Sequence, residues 1–112
     1  MRIAPSISDH IPGASQDYFL GRGTGNAHNR QRSTYMRAQL ARIGLPDNAT
    51  TRRYLQDHLE SVLNDPANIK TVQTNKRILR ESLLMGPRGG LKFETVWEDD
   101  KLITGMFHGW LE

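Results

Sequence analysis

Two histidines, a lysine and two threonines supply residue types that can move protons around a phosphodiester: His28, His108, Lys92, Thr95 and Thr104. Imidazole titrates near neutral pH and serves as general acid or general base. Metal-free RNA cleavage needs few further parts. One group takes the 2′-hydroxyl proton, another protonates the leaving 5′-oxygen, and cations with hydroxyl donors stabilise the charged phosphorane. DNA hydrolysis usually relies on carboxylates that hold metal ions. The sequence has no His pair at helical metal spacing and no Asp/Glu cluster to complete such a site. The expectation is therefore a ribonuclease that works without metal or cofactor, with His28 and His108 as acid and base. Of the other two histidines, His58 flanks an amphipathic helix and reads as a packed or surface residue, and His10 falls in an irregular N-terminal stretch.

His28 belongs to "GRGTGNAHNRQR", Gly21 to Arg32, where three alternating glycines lead into a histidine and then Arg30 and Arg32. Glycines before cationic side chains suit a backbone that approaches phosphate. A dinucleotide site would need a strand before the glycines and a βαβ unit around them. No strand pattern precedes Gly21, and the phosphate-loop ending Gly-Lys-Ser/Thr is absent. What remains is a pliant segment entering an arginine-rich helix N-terminus, whose free N–H groups favour anions.

The charge distribution points the same way. The 112 residues carry a net charge of +3. Between Leu20 and Arg80, eleven basic residues face four acidic ones, a local net of +7 that leaves the remainder acidic. Arginine outnumbers lysine there, which suits planar, bidentate contact with phosphate. Arg77 and Arg80 join Arg30, Arg32 and Lys92 as candidate phosphate ligands, and nucleic acid or another polyanion is the partner that such a patch favours. The chain has no cysteine, hence no disulfide, thiolate metal site or cysteine nucleophile. It shows no apolar run of bilayer length and no signal-peptide pattern.

These residues must be positioned by one α+β domain. Residues 1 to about 30 read as irregular, with 1–20 a flexible segment and 21–112 a single nuclease-like domain; Tyr18, Phe19 and Leu20 form an apolar cluster that can dock on the core. Met36, Leu40 and Ile43 at i, i+4, i+7 predict a helix that Gly44 and Pro46 stop. Leu55, Leu59, Val62 and Leu63 predict a second, started by Asn48 or Thr50 and ended by Asp65-Pro66. The two make a helical hairpin. "RILRESLLM", "LKFETVWE" and "KLITGMFHGW", separated by "GPRGG" and "EDDK", predict a three-stranded antiparallel meander, and "TVQTN" a fourth strand or a connection.

A two-residue loop at Asp99-Asp100 would place Trp97 opposite Leu102, Thr95 opposite Thr104, Phe93 opposite Met106 and Leu91 opposite His108, all on one face. Lys92, Glu94, Val96, Ile103 and Phe107 would share the other face. Thr95 and Trp97 point the same way whatever the register. An indole can stack on a base while the hydroxyl donates to phosphate or the 2′-oxygen. The same pair equally describes a tryptophan capping a small core beside a good strand former.

The basic helical pair followed by "RESLLMGPRGGLKFETVWEDDKLITG" resembles the C-terminal toxin domains of bacterial contact-dependent inhibition and related polymorphic toxin systems. Within these, it resembles the compact ribonuclease fold shared by barnase, RelE-like toxins and tRNA-cleaving colicins, over roughly residues 28 to 110. Thr95-Val96-Trp97 is similar to the Ser-x-Trp of the colicin D type. That type also uses a Lys/His cluster, whose nearest equivalent is His28 with Arg30 and Arg32, a set without lysine. The resemblance implies an RNase, often specific for tRNA, delivered from the cell surface into the cytoplasm of a neighbouring bacterium. It implies a cognate immunity protein that blocks the site, and it admits a host activating factor. The site then expected is one groove in which the arginines, His28, His108, Lys92, Thr95, Thr104 and Trp97 converge. Two other functions fit the same basic surface: a non-enzymatic RNA- or DNA-binding module, and a protein-interaction domain meeting an acidic partner.

Overall fold

The structure is a computed structural model and describes residues 11–111. His10 lies outside them. In chain order the elements are α1 (Gly13–Phe19), α2 (Ala27–Arg42), α3 (Ala49–Asn64), a 3₁₀ turn (Pro66–Asn68), β1 (Ile69–Val72), β2 (Ile78–Gly86), β3 (Gly89–Glu98) and β4 (Lys101–Leu111). The strands form one antiparallel sheet in the order β1-β2-β3-β4. The helices precede the sheet and pack on one of its faces, so the architecture is α+β, as expected. None of the described helices is long and apolar enough to cross a membrane.

The helical hairpin forms where its signals stand. Asn26 Oδ1 accepts from Asn29 N at 2.8 Å, and Asn48 Oδ1 accepts from Thr51 N at 2.9 Å, so an asparagine caps each helix start. Helix α2 ends in a Schellman motif. Gly44 takes φ +86, its N–H donates to Ala41 O at 3.0 Å, and Leu45 N–H donates to Leu40 O at 2.9 Å. Met36, Leu40, Ile43, Leu55, Leu59 and Val62 are all buried.

The first difference from expectation is α1. Residues 13–19 are helical, and Ile11, Phe19 and Leu20 are each 1% exposed. The Phe19 ring meets Phe93 edge-on at 5.3 Å. Arg52 fastens the helix from α3, with Nη1 on Asp17 Oδ1 at 2.7 Å and Nη2 on Gly13 O at 3.1 Å. The glycine segment that follows is also tied down: Ser33 Oγ accepts from Gly23 N at 2.9 Å and donates to Tyr18 O. The described part of the expected flexible segment is thus docked helix. Seven residues give too few turns for an apolar period to show in the sequence.

The second difference is a bulge. Asp99 and Asp100 do form a two-residue hairpin loop, with φ +50 and +62, and Trp97 does face Leu102. The pairing then shifts by one at Ile103, so Val96 faces Thr104, Thr95 faces Gly105, Phe93 faces Phe107 and Lys92 faces His108. The extra residue sends Gly105 and Phe107 into the core and turns Thr104, Met106 and His108 outward. Gly105 is required there: a Cβ would come within 2.9 Å of Phe93 Cε1 and 3.1 Å of Phe19 Cζ.

Candidate functional site

The sheet has two unlike faces, and the expected site residues divide between them. The inner face holds Arg80, Thr95 and Trp97, which are 5%, 0% and 1% exposed. Trp97 Nε1 donates to Thr95 Oγ1 at 2.8 Å. Arg80 lies with its guanidinium 5.8 Å from the indole centroid and donates through Nη1 to Val62 O at 3.3 Å and Leu63 O at 3.2 Å. These carbonyls belong to the last turn of α3, where a cation complements the helix dipole. Trp97 therefore has no ring face open to a base, Thr95 has no hydroxyl open to phosphate, and Arg80 serves a helix end. All three assignments to the RNA site are corrected, because the side chains are buried in the core, where the indole N–H, the Thr95 hydroxyl and Arg80 Nη1 are engaged internally.

His28, Arg30, Arg32 and Thr104 lie elsewhere. His28 stands exposed in the first turn of α2, on the helical layer. Arg30 Nη1 donates to Gly25 O at 2.7 Å, bracing the glycine segment. Arg32 and Thr104 line a cavity of about 240 Å³ with Ala14, Tyr18, Asn29 and Ile103. Arg77 sits on β2's approach and pairs with Glu98 at 3.5 Å. The single groove expected from the sequence is therefore not formed.

Lys92 and His108 do come together, on the outer face. They are direct cross-strand partners, and β1, β2 and β3 add three further charges. His108 Nε2 is 3.3 Å from Glu94 Oε1. Lys92 Nζ is 3.8 Å from Glu81 Oε1, and Lys70 Nζ reaches Glu81 Oε2 at 3.0 Å and Glu94 Oε1 at 3.6 Å. Exposed Leu83 and Met106 border the group. Two cations, two carboxylates and an imidazole thus occupy adjacent positions on four strands, with none of the described helices over them.

The Lys70 hydrogen bond holds the Glu81 carboxyl below its usual range, with further help from the charges of Lys70, Lys92 and His108 against partial burial. Reciprocally, the hydrogen bond and charge of Glu81, and then the charge of Glu94, push Lys70 up. Glu81 therefore stays ionised at neutral pH. An ionised carboxylate, a central ammonium and an imidazole are the parts of a proton-transfer site with built-in charge stabilisation. Among the described residues no group of three or more His, Asp or Glu side chains is placed to hold a metal ion.

Sequence reasoning missed Glu81 and Lys70. Strand alternation already placed Lys92 and Glu94 on one face. Only the β1–β2 and β2–β3 registers bring Lys70 and Glu81 beside them.

No protein-family model matches the chain, and no curated protein sequence matches it. In three dimensions it is similar to a chain of the contact-dependent growth inhibition toxin–immunity protein complex from Klebsiella pneumoniae 342. The TM-score is 0.77 at 25% sequence identity, over 92% of this chain and 97% of that one. The structural likeness thus falls on the kind of system that the sequence resembles, and supports a toxin-like domain of the contact-dependent growth inhibition type.

Proposed function

We propose that this chain is the toxin domain of a contact-dependent growth inhibition system and that it cleaves RNA, with tRNA as the substrate class, without a metal ion. In this reading a cognate immunity protein neutralises it, and it acts in the cytoplasm of the target bacterium. The observation that carries the reading is the open cluster of Lys70, Glu81, Lys92, Glu94 and His108 on the sheet, in a fold like that of a chain from such a toxin–immunity complex.

The roles follow from the order of the groups. Glu81, kept ionised by Lys70, accepts the 2′-hydroxyl proton. The 2′-oxygen attacks phosphorus, and the phosphorus–O5′ bond breaks. His108, held by Glu94, gives its proton to the leaving 5′-oxygen. Lys92 sits between the two, facing His108 across the strands and 3.8 Å from Glu81, where charge builds on the phosphorane. The products are a 2′,3′-cyclic phosphate and a 5′-hydroxyl end. The expected pairing of His28 with His108 is replaced by Glu81 with His108.

The test is incubation of the purified domain with total tRNA and EDTA, followed by a denaturing gel. Cleavage by the wild type that is lost in His108→Ala, Lys92→Ala and Glu81→Gln supports the site. Cleavage undiminished in all three variants removes it. Retention of intact RNA without any cleavage would instead identify a non-enzymatic binding module.

A further inference from the structure

The seam between α2 and the edge strand β4 carries a second set of groups, outside the sheet cluster. One end is the cavity lined by Asn29, Arg32 and Thr104. The other is a cavity of about 150 Å³ lined by Tyr35, Gln39, Arg42, Leu91 and Gly109. Gln39 stands between helix and strand, its Nε2 donating to Phe107 O at 3.5 Å. From Asn29 to Arg42 the helix rises about 20 Å at about 1.5 Å per residue. β4 covers a similar length from Ile103 to Gly109, at about 3.3 Å per residue.

We infer that this seam is a binding groove for a single-stranded segment of RNA, which it guides over the β4 edge to the sheet cluster. The inference deepens the ribonuclease reading and rests on it for the choice of ligand. Three observations carry it. Tyr35 is 64% exposed, so its ring is an open platform on which a base can stack. Arginines lie on α2 one turn before and two turns after it, Arg32 and Arg42, at spacings that follow a phosphodiester backbone along one side of the helix. Among the described residues Arg32 joins no ion pair, although it lines a cavity. Thr104 supplies the connection: it lines the Arg32 cavity and shares the outward side of β4 with His108. A duplex has no unstacked base to lay on Tyr35, so the groove selects single strands and loops.

The experiment uses the full chain carrying His108→Ala, which separates binding from cleavage, and a fluorescent oligouridine as probe. Tyr35→Ala in this background should weaken binding about tenfold, within the range for loss of one base–aromatic stack, and Tyr35→Phe should restore it. Arg32→Ala should weaken binding and reduce the slope of log affinity against log salt by about one. A base-paired RNA of equal length should show no Tyr35 dependence. Equal oligouridine affinity in parent, Tyr35→Ala and Arg32→Ala overturns the groove, as does a parent chain that binds no oligouridine. Because binding is read without turnover, a wild type that fails to cleave tRNA removes the enzyme reading and leaves the groove measurable. A wild type that cleaves tRNA while the variants bind as the parent does removes only the groove.

Discussion

The indole Nε1 of Trp97 donates to the hydroxyl of Thr95 at 2.8 Å, two residues away on the same strand and fully inside the core. A tryptophan in a small domain brings one polar hydrogen that must find a partner when buried. Thr95 supplies that partner from within β3. The hydroxyl beside the aromatic ring is thus a packing device, although the same two residues on an exposed face would make a nucleotide contact. Thr95→Val keeps the shape and leaves the indole donor unpaired. It should cost about 1–3 kcal/mol, the usual penalty for a buried unsatisfied group, seen as a lower urea midpoint at unchanged m-value. A midpoint equal to wild type would show that the bond contributes nothing.

Arg80 extends this core arrangement to the end of α3. Its Nη1 serves two carbonyls there, while its Nε is buried without a partner among the described residues. Arg80→Ala removes the donors and leaves a void beside Trp97, at a cost of about 2–5 kcal/mol on the scale of large-to-small core substitutions. Arg80→Met keeps an apolar stem over the indole and removes the unpaired Nε, so its cost should be less than half as large. Denaturant unfolding of the two variants decides this, and equal losses would show that the hydrogen bonds alone matter.

Strand alternation was legible from sequence because it is local: Leu91, Phe93, Thr95 and Trp97 share one face, Lys92 and Glu94 the other. The hairpin at Asp99-Asp100 was legible for the same reason. Ile103 was not, since a bulge is decided by what both strands bury. Without it, Thr104, Met106 and His108 would face the core; with it, Gly105 and Phe107 do. That single residue moved His108 from Leu91 to Lys92 and so assembled half of the candidate site. Helix α1 was hidden for a different reason. It is held by Phe19 against Phe93 and by Arg52 on Asp17, contacts between distant parts of the chain that no short apolar pattern announces.

His58 gives the fold a pH dependence. It bridges α3 and the sheet, its Nε2 2.9 Å from Ser82 Oγ and its ring stacked on Phe93. Burial pushes its pKa below the ordinary 6.5. In the unfolded chain the imidazole regains that ordinary value, so as pH falls through it the unfolded state binds the proton first. Stability is therefore complete above pH 6.5 and declines as pH falls toward the folded-state pKa. Denaturation midpoints measured from pH 7.5 to 5 should fall in the wild type and fall less in His58→Gln. Parallel slopes would place the acid sensitivity elsewhere.

The sheet cluster makes a kinetic prediction of the same kind with a different group. Glu81 is held below the usual carboxylate range first by its hydrogen bond from Lys70. If Glu81 takes the 2′-hydroxyl proton, the acidic limb of kcat/KM reports its protonation in the free enzyme. Lys70→Met removes the largest cause of the lowered pKa, while Lys92 and His108 still oppose protonation. The acidic limb should then move to higher pH, with activity at neutral pH retained where Glu81 is still ionised. Glu81→Gln should lose about 10²- to 10⁴-fold in rate, the usual contribution of a general base. Both groups are partly exposed on an open face, so neither change should alter the unfolding midpoint strongly. An acidic limb that stays in place in Lys70→Met, together with a small loss in Glu81→Gln, would assign the base to Glu94 or to another group beside His108.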